Sequence, residues 1–219
     1  MNIASYIDHT ALKPTTTEDD IIRLCKEATI YGFAAVCVPP HYIRTAKLEL
    51  QDTAVKVATV IGFPFGYSTT RSKMEEIREA IAEGADELDM VINLAAVKNG
   101  DWDFLENEVE RCTTLVHSSQ KIIKLIVESG VLTDAELISC CALVRSHKVD
   151  FIKTSTGYAE TGATVHAVQL MRQHLPETTL IKASGGIRSY AFAQELIAAG
   201  ANRLGCSASV QILEESNKP

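Results

Sequence analysis

Three lysines set the chemistry open to this sequence. Lys124, Lys153 and Lys182 each stand inside a short apolar run, and 29 residues separate each from the next. Small polar residues follow closely: Thr154, Ser155, Thr156 and Gly157 after Lys153, and Ser184, Gly185 and Gly186 after Lys182. A lysine buried in a strand is expensive unless its charge is used or paired. The repeat points to one recurring structural unit and a site shared between units. Two ammonium groups held close disfavour each other's protonation, and burial pushes the same way. A lysine that loses its proton near neutral pH attacks carbonyls, and the imine it forms is an electron sink. Such an imine lets a neighbouring carbon–carbon bond break or form. Asp89 is the acid that could move protons in those steps, directly or through water. The competing reading is a buried ion network in which the lysines are only charge partners.

These residues come together only if the right elements carry them. Apolar strand-like runs span Tyr6 to Leu12, Ala34 to Pro39, Val55 to Gly62, Glu87 to Asn93, Ile122 to Val127, Phe151 to Ser155, Leu180 to Ala183 and Arg203 to Ser207. Between them lie amphipathic segments that read as helices: 18–31, 41–48, 70–83, a stretch capped by Asp101 and running to His117, one capped by Thr133 and running to Ser146, 164–174, 189–199, and a last one to about Glu215. The strands are apolar on both faces, as a parallel sheet requires, and the helices are amphipathic, as its cover requires. Eight strand–helix units in 219 residues fit a closed (β/α)₈ TIM barrel of one domain over 1–219; an open doubly wound sheet is the alternative. No dinucleotide fingerprint and no Walker sequence are present.

A barrel of this kind keeps its site at the C-terminal ends of the strands. Side chains alternate along a strand, so Phe151, Lys153 and Ser155 share one face, as do Leu180, Lys182 and Ser184, and Asp89, Val91 and Asn93. If these faces point inward, two lysines stand on adjacent strands, Asp89 comes across from the fourth, and Lys124 joins from the fifth. Gly157, Gly185, Gly186 and Gly205 lie just after or within the last three strands. Exposed backbone N–H groups there make an anion nest, and loops after strands seven and eight of barrels often hold phosphate. Ser184 and Ser207 are further candidates; tight turns that need positive φ are the plainer explanation for any single glycine.

Bulk properties agree with a soluble enzyme. The chain is 46% apolar and 22% charged, with a formal net charge of −7. That charge weighs against nucleic acid or an anionic membrane as a partner, though not against a small anionic ligand. No signal peptide and no membrane span are legible. The six cysteines, Cys25, Cys37, Cys112, Cys140, Cys141 and Cys206, show neither zinc spacing nor a secreted disulfide pattern, which points to the cytoplasm. The histidines are scattered, which argues against a metal-dependent mechanism. His9 follows Asp8, but no third member of a nucleophilic triad is visible.

The sequence resembles the deoxyribose-phosphate aldolases over nearly its whole length. The likeness rests on DHTALKP from Asp8, AVCVPP from Ala35, ELDMVIN from Glu87, KLIVES from Lys124, FIKTSTG from Phe151, KASGGIR from Lys182 and RLGCS from Arg203. It implies a (β/α)₈ class I aldolase that reversibly cleaves 2-deoxy-D-ribose 5-phosphate to D-glyceraldehyde 3-phosphate and acetaldehyde, without metal or other cofactor. Lys153 then matches the imine-forming lysine, Lys182 the lysine that perturbs it, and Asp89 the proton-relay aspartate. Gly157, Gly186 and Ser207 match phosphate-binding positions. Asp8 and Thr10 match residues near the hydroxyl-bearing end of the substrate. With Thr156, Ser184, Gly185 and Gly205 they complete the candidate substrate-binding set, with Cys37 and Lys124 nearby.

Two departures from the family pattern are visible. Ala208 stands where some members have a second serine, and the tail from Glu214 to Pro219 lacks the tyrosine with which some members end. Cys37, placed near the mouth, is a possible liability toward aldehydes. A homo-oligomer is expected, with a dimer as the base-rate guess. The rival functions are a Schiff-base aldolase for another sugar phosphate and a barrel that binds a phosphorylated metabolite without turnover.

Overall fold

In the computed structural model, which describes residues 2–217, eight parallel strands close on themselves in chain order. They are β1 (Ile7–Thr10), β2 (Ala35–Val38), β3 (Lys56–Ile61), β4 (Glu87–Val91), β5 (Ile122–Ile126), β6 (Phe151–Lys153), β7 (Leu180–Ser184) and β8 (Arg203–Cys206). The last pairs with the first in register Asp8 to Gly205, so no open edge remains and the doubly wound alternative is excluded. Helices α1 (Glu18–Tyr31), α2 (Ile43–Glu49), α3 (Thr70–Ala82), α4 (Leu94–Asn99), α5 (Trp102–Ser118), α6 (Asp134–Ser146), α7 (Val165–His174), α8 (Tyr190–Ala198) and α9 (Ser209–Ser216) fill the connections.

The helices form where local chemistry starts and stops them. Thr17 caps α1 by accepting from Asp20 N–H, the Asp20 carboxylate returns the bond to Thr17 N–H, and Gly32 ends the helix in the left-handed region. Its Ile21, Leu24, Cys25 and Ala28 then face the barrel. Thr133 and Glu136 cap α6 in the same way. Helix α4 was not expected. Asn93 reads as the end of a strand, but its side chain accepts from Ala96 N–H at 3.1 Å and starts a six-residue helix, too short to show periodicity. Strand β6 is also shorter than its apolar run, because Thr154 and Ser155 leave the ladder toward the mouth. A 3₁₀ turn over Ile3–Tyr6 replaces the expected first residue of β1. Lys218 and Pro219, the end of the tail singled out above, lie outside the described residues.

The inside of the barrel is divided. On β2 and β3 it is filled by Cys37, Ala58 and Val60, with Leu12 and Phe63 packed on them. On the other side it is filled by buried charged side chains, Asp8, Glu87, Asp89, Lys124, Lys153 and Lys182.

Candidate active site

Register places the charged residues before any side chain moves. Lys153 is the cross-strand neighbour of Lys182, Asp89 of Lys124, and Lys182 of Arg203. Their side chains converge on Asp89. Its Oδ2 accepts from Lys153 Nζ at 2.8 Å and from Lys182 Nζ at 2.8 Å, and its Oδ1 accepts from Lys124 Nζ at 2.7 Å. A second layer lies behind. Lys182 Nζ meets Asp8 Oδ2 at 2.5 Å, and Lys124 Nζ meets Glu87 Oε2 at 2.6 Å. Arg203 Nη1 closes that layer, 2.5 Å from Asp8 Oδ1 and 3.4 Å from Glu87 Oε2.

The three lysines are chemically unequal. Burial pushes Lys153 down, Asp89 pulls it back up, and Lys182 adds to the fall; the net value lies below that of an ordinary lysine. Burial acts the same way on Lys182, but Asp8 and Asp89 outweigh it and hold that lysine above its ordinary value. Lys124 is likewise held up by Asp89 and Glu87 against burial. For Asp89 the three lysines overcome burial and keep the carboxyl well below the usual carboxylate range. Asp89 is thus a stable anion that bridges two amines.

Above the cluster opens a cavity of about 710 Å³. Of the three lysines Lys153 alone lines it, together with Thr10, Thr156, Gly157, Ser184, Gly185, Gly186, Gly205 and Ser207. Gly157, Gly185 and Gly186 all have positive φ, 88°, 88° and 79°, a backbone that turns successive amides toward one side. The expected anion-binding arm and the amine therefore share one cavity. The β1–α1 loop and the Asp20, Arg23 and Glu27 side of α1 form its far wall. Among the described residues, no three His, Cys, Asp or Glu side chains form a group able to hold a metal ion.

The model of the DeoC/LacD family of aldolases matches residues 2–209. The chain belongs to this family. Over 216 residues it is 49% identical to the deoxyribose-phosphate aldolase of Thermococcus gammatolerans, covering 98% of this chain and 96% of that one. Over its full 219 residues it is 48% identical to the deoxyribose-phosphate aldolase of a Thermoanaerobacter species, covering 98% of the latter. A solved tetrameric deoxyribose phosphate aldolase from Aeropyrum pernix superposes with a TM-score of 0.92 at 32% identity, over 99% of this chain and 91% of that one.

Within this DeoC/LacD barrel, several candidate residues sit differently from the expectation. Asp8 does not line the cavity; it is fully buried behind Lys182, where burial would raise its carboxyl but Lys182, Lys124 and Arg203 hold it low. Thr10 does line the cavity, and its hydroxyl donates to Asp8 O at 2.9 Å. Gly205 has a steric role besides its place in the wall. A Cβ there would meet Ser184 Cβ at 2.9 Å and Lys182 Cε at 3.1 Å, so the missing side chain is what lets Lys182 pass. Ser184 spends its donors inside the protein, N–H on Thr154 Oγ1 at 3.0 Å and hydroxyl on Ser155 O at 2.5 Å. Cys37 is fully buried rather than at the mouth, and burial raises its thiol, so it presents little thiolate.

Other site residues escaped the sequence reading. Glu128 takes a left-handed backbone, φ 53°, and its carboxylate accepts from the N–H and the hydroxyl of Thr156. That pair fixes the loop that follows Lys153. Tyr158 lines the cavity, donates to Leu12 O at 2.8 Å and meets Phe63 edge-on at 5.5 Å, which ties three loops together. His9 does gain two partners, Ser209 Oγ at 2.9 Å and Glu27 Oε2 at 2.8 Å. Ser209 is fully buried and donates to Cys206 O, so the trio ties β1, α1 and α9 and offers no nucleophile.

Proposed function

We propose that this protein is a deoxyribose-phosphate aldolase and that Lys153 is its imine-forming residue. The observation that carries the reading is the inequality of the lysines: the amine with the weakest hold on its proton is also the one that meets the cavity. The names of the relatives at 48–49% identity support the substrate, and they favour neither a non-catalytic barrel nor an aldolase for another sugar phosphate.

In this reading, Lys153 Nζ attacks the C1 carbonyl of open-chain 2-deoxyribose 5-phosphate. The carbinolamine loses water to give an iminium ion. A base takes the proton of the C3 hydroxyl, the C2–C3 bond breaks, and its electron pair moves to the iminium. Glyceraldehyde 3-phosphate leaves and an enamine remains on Lys153. Protonation at C2 and hydrolysis release acetaldehyde and the free amine. Asp89, bridging Lys153 and Lys182, passes protons within the set, and Lys182 stays cationic. The positive-φ amides around Gly157, Gly185 and Gly186, with Ser207, hold the phosphate. No step calls for a metal ion or other cofactor.

The whole chain acts as one catalytic domain in this account, and a homo-oligomer is part of it. The Aeropyrum pernix relative is tetrameric, so it lends the expected dimer no support. All six cysteines are free and buried, which suits a reducing cytoplasm. No helix of the described residues is long and apolar enough to cross a membrane. The test is product identification: 2-deoxyribose 5-phosphate incubated with the protein and chelator should yield acetaldehyde and glyceraldehyde 3-phosphate in equal amounts. Turnover that stops with chelator, or other products, would refute this reading.

A further inference from the structure

The interior cluster holds four cationic side chains, Lys124, Lys153, Lys182 and Arg203, against three carboxylates, Asp8, Glu87 and Asp89. We propose that Arg203 is a positioning residue for the reaction: by holding one oxygen of Asp8 and one of Glu87, it gives the cluster one cation too many, and the excess leaves as a proton from Lys153. The inference rests on the reading of Lys153 as the imine-forming residue.

Six of the eight strands contribute charge to the cluster. Asp8 comes from β1, Cys37 from β2, Glu87 and Asp89 from β4, Lys124 from β5, Lys153 from β6, Lys182 from β7 and Arg203 from β8; β3 offers Ala58 and Val60, which carry no charge. Cys37 stays a neutral thiol in its buried site. Guanidinium does not deprotonate in proteins, so Arg203 must remain charged. Lys182 has two carboxylates, Asp8 at 2.5 Å and Asp89 at 2.8 Å. Lys124 has three, Glu87 at 2.6 Å, Asp89 at 2.7 Å and, more distantly, Asp8 at 3.8 Å. Lys153 has only Asp89 Oδ2, and shares that atom with Lys182. It is also the lysine of the three with a route to solvent through the cavity. Loss of its proton takes the cluster from one positive charge to none. Without the Arg203 charge, three cations would match three carboxylates and Lys153 would have reason to keep its proton. Lys182, the obvious perturber, supplies only part of the effect, since its charge is answered by Asp8; Arg203 competes for that same carboxylate.

The test compares the unmodified protein with Arg203→Gln, which keeps hydrogen-bond donors without charge, and Arg203→Lys, which keeps the charge. Two readouts are followed against pH: kcat/KM for 2-deoxyribose 5-phosphate and the yield of borohydride-trapped acetaldehyde adduct, mapped by peptide mass. In Arg203→Gln the acid limb of both should move to higher pH by about one unit or more, a roughly tenfold loss at neutral pH that higher pH restores. Arg203→Lys should keep the limb near its original place. A double variant, Glu87→Gln with Arg203→Gln, removes one charge of each sign and should bring the limb back. Arg203→Gln activity that falls equally at every pH, with the limb unmoved, would overturn the inference and leave Arg203 a packing residue. If Arg203→Gln does not fold, the double variant decides alone, since a limb displaced by a unit or more there contradicts the charge count. No adduct on Lys153 in the unmodified protein would instead sink the catalytic reading, so the two failures are distinct.

Discussion

This protein buries lysine in two kinds of place. Lys73, on α3, is fully buried outside the barrel wall, where its Nζ meets Glu108 Oε2 of α5 at 2.7 Å and Val91 O at 2.8 Å. Lys153, inside the barrel and 3% exposed, meets Asp89 at 2.8 Å. Distance and burial are nearly the same. The surroundings are not. Lys73 has one carboxylate to itself, and Thr70 further fixes that carboxylate at 3.2 Å. Lys153 shares its carboxylate with two other lysines. Burial pushes the Lys153 amine down most and the neighbouring Lys182 charge pushes it further; the contrast with Lys73 lies in that shared carboxylate.

The comparison breaks most sharply at the two lysines themselves. Lys153→Met should lower kcat/KM by about 10⁴-fold or more, the scale on which a lost covalent nucleophile is felt. It should leave the fold intact, because Lys124, Lys182 and Arg203 then match Asp8, Glu87 and Asp89 one for one. Lys73→Met should do the reverse. It strands the Glu108 carboxylate and should destabilise by about 3–5 kcal/mol in denaturant melts, with activity per folded molecule unchanged. Replacing Glu108 with Met as well should recover most of that loss. Stable Lys73→Met protein, or unstable Lys153→Met protein, would dissolve the contrast.

Lys182→Met sharpens it. Removing this cation also balances the cluster, so kcat/KM at neutral pH should fall roughly 10–100-fold and partly return at high pH as Lys153 gives up its proton. A flat loss across the pH range would assign Lys182 a proton-transfer role alone.

Stability against pH should carry the same signature at both ends, rising with pH in each window because these groups bind protons less tightly in the folded state. Folded Lys153 lies below its unfolded value of about 10.4, so between the two values the unfolded chain binds more protons and stability rises with pH. That rise should be missing in Lys153→Met. Asp8 and Asp89 are depressed in the folded state, so their contribution is present above about pH 4 and lost as pH falls toward their folded values. The smallest effect is at the cavity wall. Tyr158→Phe removes one half-exposed hydrogen bond to Leu12 O, about 0.5–1 kcal/mol, and should raise KM a few-fold with kcat little changed.

Much of this was legible beforehand. The 29-residue spacing of Lys124, Lys153 and Lys182 and the period-two placement of Asp89 put four members of the cluster on inward faces. Glu87 and Arg203 followed the same alternation, two residues before Asp89 and Gly205, but at the first position of a strand a charged residue looks like surface. Lys73 and Glu108 lay on the apolar faces of two helices, in line with Ile77 and Cys112, and could have been paired for that reason. The depth of Asp8, behind Lys182, was not legible for a different cause. Motif likeness located it near the substrate, whereas depth in a barrel depends on which strand residue a side chain leaves from. Glu128 and Tyr158 sit in loops with no period, so no pattern in the sequence pointed to their partners.

The central claim is that Lys153 alone among the buried lysines presents a usable amine. The protein should be incubated with acetaldehyde or with 2-deoxyribose 5-phosphate, reduced with borohydride, and its adducts mapped by intact mass and peptide mass. A single adduct on Lys153, absent from Lys153→Ala, is the predicted result. An adduct on Lys124, Lys182 or Lys73, or none on a folded protein that binds the sugar phosphate, would contradict it.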